Sequence, residues 1–400
     1  MVMIRRKKAT GSYTKKARMD FGLFFIIILL AFLGVLLVYD ASVVRASSVF
    51  GGKYYFLIFQ SIWAGLGLIM LLVVSNVDFE RLVLLSRKLL IISIILLSLT
   101  VLTRFMPGGL KNFAEVFIPN INASHRWIYL NYKPLPTLPV VGRLGFQPSE
   151  LAKISLVLYL VLVLTSKKRE LASLQTVFVI ALVGFLILMQ PDFGSALIVV
   201  LSGLVIYLAS GSPLKNVLAL VAAVAVLGVF FILTSPYRRE RLLSYLNVTP
   251  TQEVSLSSKY QINQVLIALG SGGFWGLGLG QSRQKYDYIP EVNTDSIFSV
   301  WGEETGFVGA AILVLLFASL TYKGLWVAAT AGSREGSLLA VGITSFIGLQ
   351  AIINLAGMTH LLPLTGVPLP LISYGGSSLL AGMFSLGILL NVSKCRKELK

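Results

Sequence analysis

Phe21-Gly-Leu-Phe-Phe-Ile-Ile-Ile-Leu-Leu-Ala-Phe-Leu-Gly-Val-Leu-Leu-Val-Tyr39 carries neither charge nor proline. A run of this length and composition crosses the hydrocarbon core of a bilayer as a helix. It follows a basic segment, Met1 to Asp20, so a cleaved leader is the competing reading. The run is longer than a typical leader core and no small-residue cleavage site directly follows it, which predicts a retained first span.

Runs of the same kind recur along nearly the whole chain. They predict ten spans, at 21–39, 55–75, 87–103, 148–165, 173–190, 194–210, 215–234, 296–322, 338–357 and 370–392. The expected fold class is an all-α polytopic membrane protein of about ten transmembrane helices. Of the 400 residues, 56% are hydrophobic and only 13% charged, which excludes a soluble domain. The single cysteine, Cys395, excludes an internal disulfide and a cysteine-built metal site. The predicted organisation is a basic tail over 1–20, a transmembrane domain over 21–393 and a basic C-terminus over 394–400. Long loops are expected at about 104–147 and 235–295.

The formal net charge of +17 would suit a nucleic-acid partner, but its placement argues otherwise. With both termini in the cytoplasm, the inner side takes the tail (Arg5, Arg6, Lys7, Lys8, Lys15, Lys16, Arg18). It also takes Arg81, Arg87, Lys88, Lys167, Lys168, Arg169, Lys215, Lys323, Arg334 and the C-terminal bases. Only the smaller share of the acids falls there. This is the positive-inside bias, so the basic excess is topological and no nucleic-acid partner is expected. The tail lacks apolar periodicity and is expected to lie unstructured against anionic headgroups.

Polar chemistry concentrates in a few places. Gly270 to Glu304 reads GSGGFWGLGLGQSRQKYDYIPEVNTDSIFSVWGEE, with acids Asp287, Glu291, Asp295, Glu303 and Glu304 and bases Arg283 and Lys285. A charged, glycine-hinged loop feeding a span is a place for chemistry, against the plainer reading of a solvated loop. Phe146-Gln-Pro-Ser-Glu-Leu-Ala-Lys153 opens the fourth span, with Pro148 in its first turn and Glu150 favoured by the helix dipole. Glu150 and Lys153 share a face. Lys153 is therefore either a snorkelling cation paired to Glu150 or the lining of an anionic ligand's pocket. Gln190-Pro-Asp-Phe-Gly194 is a sharp turn whose Asp192 is either a helix cap or a site acid. Gln350 and Asn354 lie four apart on one face and read first as interhelical hydrogen-bonding groups. Pro368-Leu-Pro-Leu-Ile-Ser-Tyr-Gly-Gly-Ser-Ser378 gives the last span a broken entry, tolerated at membrane depth only where protein or a water-filled cavity covers it.

Together with Arg126-Trp-Ile, Ile289-Pro-Glu-Val-Asn-Thr-Asp295 and Gly302-Glu-Glu, these stretches resemble the SEDS family of bacterial cell-wall polymerases (shape, elongation, division and sporulation proteins). They occur in family order over essentially the whole chain. Gly278 to Lys285 is similar to the division-type members (FtsW), whereas Pro368 is closer to the elongation type (RodA). The resemblance implies a peptidoglycan glycosyltransferase that polymerises lipid II, the undecaprenyl-diphosphate-linked precursor, with inversion at the outer face of the bacterial cytoplasmic membrane. The implied partners are a class B penicillin-binding transpeptidase and other divisome membrane proteins. It implies Asp295 as the essential acid and Asp287 as a further one. Arg126, Lys153, Arg283 and Lys285 are candidates for the diphosphate, and Glu150, Asp192, Glu291 and Ser377 for other substrate contacts. Cofactor use stays open between none and a divalent cation such as Mg or Mn. Three departures stand out: Asn293 in place of the family's usual histidine, Ser296 in place of phenylalanine, and Thr365 where division-type proteins often carry lysine. A flippase for lipid-linked precursors, or a non-catalytic divisome scaffold, are the readings of another class.

Overall fold

The computed structural model describes residues 18–121, 124–131, 144–166, 169–213, 215–218, 253–286, 288–289 and 291–395, with isolated positions between 221 and 245. The tail before residue 18, most of the expected 215–234 span, Asp287 and the last five residues lie outside the described residues. The chain forms α1 (Phe21–Phe50), α2 (Tyr55–Val74), α3 (Phe79–Thr103), α4 (Gly108–Glu115), α5 (Pro148–Leu164), α6 (Arg169–Met189), α7 (Phe193–Ala209), α8 (Glu253–Gly272), α9 (Ile297–Thr330), α10 (Arg334–Met358) and α11 (Gly376–Ser393). Six of these helices are long and apolar enough to cross a membrane, and α6 and α7 contain shorter apolar stretches. The fold is an all-α, multi-pass membrane protein.

The two ends of the bundle are distinguished by their contacts. At one end Asp20 caps α1 by accepting from Leu23 N (2.9 Å), and its carboxylate pairs with Lys323 (3.6 Å). Lys394 donates to Ser75 O and Asn76 Oδ1, both at 2.9 Å, and Arg334 to Ser210 O at 2.7 Å. The starts of α1 and α10 and the C-terminal end of α11 therefore share this end with the α2–α3 turn. The described parts of the 104–147 and 273–296 connections lie at the other.

The helices at the middle of the bundle are α5 and α10. Helix α5 is buried on nearly every side: beyond Ser155 it is apolar all round, and its Glu150 and Lys153 are buried with hydrogen-bond partners. It packs on α3, α6, α7 and α10, while α10 packs on α5, α7, α9 and α11.

Several elements differ from the sequence expectation, beginning with α1, which runs on to Phe50, and α4, which falls within the expected 104–147 loop. Helix α3 starts at Phe79 instead of 87, because Glu80, Arg81, Arg87 and Lys88 extend the helix beyond its apolar stretch with no breaker to stop it. Helix α8 falls within the expected 235–295 loop and packs against α9. The last span begins only at Gly376: Pro368 and Pro370 lack backbone donors and Leu371 is left-handed, with φ 63°. Helix α9 runs to Thr330 but breaks at Gly306 (φ 65°, ψ −162°).

That break is filled by the chain following α8. Leu277 N and Gly278 N donate to Glu303 O and Glu304 O, both at 3.0 Å, and Phe307 N donates back to Gly273 O at 2.9 Å. Gly276 makes the approach feasible, since a Cβ there would lie 2.1 Å from Glu304 O. A two-residue antiparallel ribbon, Ile128↔Phe146 and Tyr129↔Gly145, brings the Arg126 segment beside the start of α5.

The irregular 368–375 segment is braced by α1. A Cβ on Gly34 would lie 2.3 Å from Leu371 O and 2.8 Å from Ile372 Cα, so α1 touches backbone there. Neither partner is a flexible side chain that could move aside. Gly34→Ala should cost about 1–3 kcal/mol through overpacking, read as a lower melting temperature of the detergent-purified protein; an unchanged melt would show that the contact is not tight.

Candidate functional site

One turn of α10 organises the site. Asn354 Nδ2 donates to Asp295 O (2.8 Å) and Val367 O (2.7 Å), tying the Asp295 segment to the chain that enters α11. Gln350 Nε2 donates to Pro368 O (2.9 Å), and Gln350 Oε1 accepts from Lys153 Nζ (2.9 Å). Tyr374 N donates to Asn293 O at 2.9 Å. Backbone carbonyls freed by Pro368 and Pro370 thus find side-chain donors on a neighbouring helix, as buried backbone requires.

Asp295 sits half-buried just before α9. Its Oδ1 lies 3.5 Å from both Thr294 Oγ1 and Ser296 Oγ, and its Oδ2 would be 3.7 Å from a Cβ on Gly366. The carboxylate therefore faces the 366 turn, across space that the missing side chain of Gly366 leaves open. Glu291 is exposed, left-handed (φ 53°), and accepts from Thr294 Oγ1 at 3.1 Å. Asn293 is buried and meets α11's entry through its backbone.

The Gln190-Pro-Asp turn closes the opposite wall. Asp192 caps α7 through Ser195 N (3.0 Å) and also accepts from Gln147 Nε2 (3.3 Å), so it is both a cap and a link to the α5 start. Gly194 lies hard against the 365–367 chain, where a Cβ would be 2.2 Å from Val367 Cγ2. Arg126 donates from Nε to Gln190 O (2.9 Å) and from Nη2 to Pro191 O (2.7 Å). Gln190 in turn donates to Thr100 Oγ1 (2.6 Å).

Three of the four cations expected to meet a diphosphate hold protein acceptors in this arrangement. Lys153, 3% exposed, bonds Glu150 at 2.8 Å and Gln350, and Arg126 holds the turn carbonyls. Lys285, also 3% exposed, bonds Asp40 (2.9 Å) and Glu304 (3.0 Å). Burial alone would lower the Lys285 pKa; the two carboxylates outweigh that and raise it, so the ammonium stays charged at neutral pH. Only Arg283 among the four presents an exposed side chain. Ser377 Oγ is buried without a hydrogen-bond partner, near the start of α11.

Glu303 and Glu304 are buried anchors for the 280–285 loop. Glu304 accepts from Gly280 N (2.9 Å) and Ser282 N (3.0 Å), and Glu303 from Arg283 N (3.2 Å), Gln284 N (3.3 Å) and Ser282 Oγ. Their role in the structure is to hold that loop, at some remove along α9 from Asp295. Asp40 went unnoticed in the sequence because it ends an apolar run and resembles a boundary residue. Its lone signal is a charge inside a helix that continues to Phe50. Among the described residues no three His, Cys, Asp or Glu gather as a metal-binding set.

These features define a membrane-embedded helical protein with an acid-bearing polar site at the end of the bundle away from its termini. The chain belongs to the FtsW/RodA/SpoVE family of cell cycle proteins, whose model matches residues 21–398. It is 37% identical to stage V sporulation protein E of Bacillus subtilis, over 95% of this chain and 98% of that one. It is 34% identical to a probable peptidoglycan glycosyltransferase FtsW of Geobacter sulfurreducens, over 94% and 95%. Among solved structures, it is similar to a chain of a peptidoglycan synthase complex that coordinates polymerization and crosslinking (TM-score 0.71, 28% identity, covering 94% and 97%). It is also similar to the rod shape determining protein RodA of Thermus thermophilus (TM-score 0.65, 27% identity, covering 94% and 97%).

The Glu150–Lys153–Gln350 network yields a stability test. Lys153→Met leaves Glu150 buried without its counter-ion, a loss of roughly 3–5 kcal/mol. The melting temperature should fall clearly, and Glu150→Gln combined with Lys153→Met should recover a large part of it. A single variant as stable as wild type would show that Glu150 has another counter-charge.

Proposed function

We propose that this chain is a peptidoglycan glycosyltransferase that polymerises lipid II at the outer face of the bacterial cytoplasmic membrane, with Asp295 as the general base. The carrying observation is the position of Asp295. Its backbone is pinned by Asn354, its segment is joined to Tyr374, and its carboxylate faces the open 366 turn. Relatives named as peptidoglycan glycosyltransferases, matched over nearly the whole chain, support the reaction class.

In the reaction, the acceptor sugar's 4-hydroxyl oxygen bonds to the donor's anomeric carbon as the bond to the diphosphate breaks. The proton passes to Asp295 Oδ and the diphosphate departs with its polyprenyl chain. A carboxylate beside an oxocarbenium-like centre suits that proton transfer, and attack on the face opposite the departing diphosphate inverts the anomeric configuration. The departing charge needs cations. Arg283 is exposed and ready for that role, while Lys153, Lys285 and Arg126 would reach a diphosphate by exchanging protein acceptors for substrate oxygens. Asp192, Glu291 and Ser377 are further candidates for substrate contacts. A divalent cation, if used, would be held by one or two carboxylates of this region together with the diphosphate oxygens, since no three-residue protein set gathers among the described residues.

The likeness to a chain of a synthase complex supports a penicillin-binding transpeptidase as partner. The FtsW relatives and the Gly278 to Lys285 loop favour a role in division. Sporulation is the second reading, favoured by the 37% identity to stage V sporulation protein E. The clustering of acids at one end, instead of at mid-membrane between repeated halves, argues against a flippase.

Asp295→Asn keeps the shape and most hydrogen bonding but cannot take the proton. Polymerisation of purified lipid II should fall about 10²–10⁴-fold, with membrane insertion and partner binding retained. Wild-type turnover in the variant would refute the assignment. For sidedness, reporter fusions after Lys400 and within 250–260 should report opposite sides of the membrane; both on one side would overturn the topology.

A further inference from the structure

A cavity of about 280 Å³ lies between the end of α3, helix α4 and the Met189–Pro191 turn. Its lining includes Arg104, Lys111, Asn120, Ser124, His125 and Gln190. It shares the Gln190–Pro191 turn with the site above, but its other lining comes from the α3 end, α4 and the 120–125 segment. The Gln190 side chain points to α3, whereas Asp192 and Gly194 meet Gln147 and the 365–367 chain. No residue given a catalytic role lines it.

The cavity's chemistry is cationic and hydrogen-bonding. Arg104 is exposed and Lys111 half-buried, so both can turn toward an occupant. Glu115, which is not part of the lining, accounts for some of the local charge: it lies 3.9 Å from Lys111 and 3.6 Å from His125 Nε2. His125 Nδ1 is engaged by Ile118 O at 3.0 Å. Arg104 has no carboxylate of its own among the described ion pairs.

Beside it stands a second, independent feature. Helix α4 buries none of its residues, and Leu110 and Phe113, three apart on one face, are 63% and 71% exposed. Phe105, just before the helix, is 71% exposed, and Lys111 and Glu115 lie on the opposite face. A short helix with aromatic and leucine side chains on one face and charges on the other lies flat at the membrane interface, apolar face down. The α3 end to which it is joined is the end away from the termini. Hydrocarbon-seeking side chains and phosphate-seeking cations thus stand next to each other at headgroup level.

We infer that this cavity binds the phosphate of a membrane lipid whose hydrocarbon lies along the Phe105, Leu110 and Phe113 face. The charge complementarity selects an anionic head, and the apolar face selects a lipid over a free anion. Two sources carry that chemistry, a bulk anionic phospholipid and a polyprenyl phosphate. The inference concerns binding alone and stands whether or not the chain polymerises glycan.

The test is native mass spectrometry of the full chain in neutral detergent, titrated separately with phosphatidylglycerol, undecaprenyl phosphate, diacylglycerol of matched chain length and inorganic phosphate. Saturable retention of at least one phosphate-bearing lipid is expected, with diacylglycerol and inorganic phosphate retained far less. Removing two headgroup cations, Arg104→Gln with Lys111→Gln, should weaken that retention about tenfold or more. The double variant should melt as wild type does, because neither side chain is buried. Preference for phosphatidylglycerol assigns the site to bulk lipid, and preference for undecaprenyl phosphate assigns it to the carrier. Equal retention by wild type and double variant overturns the inference, as does retention of diacylglycerol or inorganic phosphate matching that of the lipids.

Discussion

A backbone that leaves the helix inside a membrane must find partners for its freed polar groups, and here α10 supplies them. Asn354 and Gln350 hold Asp295 O, Val367 O and Pro368 O. Without those amides the Pro368–Tyr374 segment would leave carbonyls unsatisfied in apolar surroundings, which costs several kcal/mol per group. The same bonds place the Asp295 carboxylate opposite the 366 turn. The constraint that keeps the fold intact therefore also sets the geometry of the site.

The charged groups obey the same economy. Lys153 and Lys285 are far too buried to exist alone: Lys153 is held by Glu150 of its own helix and the Gln350 amide of α10, and Lys285 by the carboxylates of Asp40 and Glu304. Such pairs seldom add net stability compared with apolar packing, but they penalise any arrangement that separates the partners. Lys285 joins α1 to α9 through Asp40 and Glu304, and the two glutamates hold the 280–285 backbone. The loop carrying the exposed Arg283 is thus anchored at its base and open at its tip.

The site's polar groups are drawn from places far apart along the chain, and their gathering depends on small residues. Gly194 and Gly366 remove side chains where the 190 turn, the Asp295 segment and the α11 entry meet. Gly276 and Gly306 do the same where the chain after α8 fills the interruption in α9. Each would be an ordinary weak point in a helix; in these places it lets backbone approach backbone.

Much was legible in the sequence because the signals are local. A long uncharged run such as Phe21 to Tyr39 declares a span by summed transfer energy, whatever its neighbours are. Pro148 with Glu150 marks a helix start, and Asp295 is marked as a candidate acid by the loop motif it closes. Extent and partnership were not legible. Helix α1 runs on past Tyr39, and its Asp40 meets Lys285, 245 residues away. The pairing of Lys153 with Gln350 spans 197 residues, and that of Asp295 O with Asn354 spans 59. Hydropathy and helix signals are properties of a window of sequence, so the sequence by itself determined that the chain is an all-α, multi-pass membrane protein and where polar residues collect. Which buried cation faces which acid depends on how helices pack across the whole bundle. That pairing of Lys153 and Lys285 with protein groups, and the facing of Asp295 toward the 366 turn, were decided only by the tertiary structure.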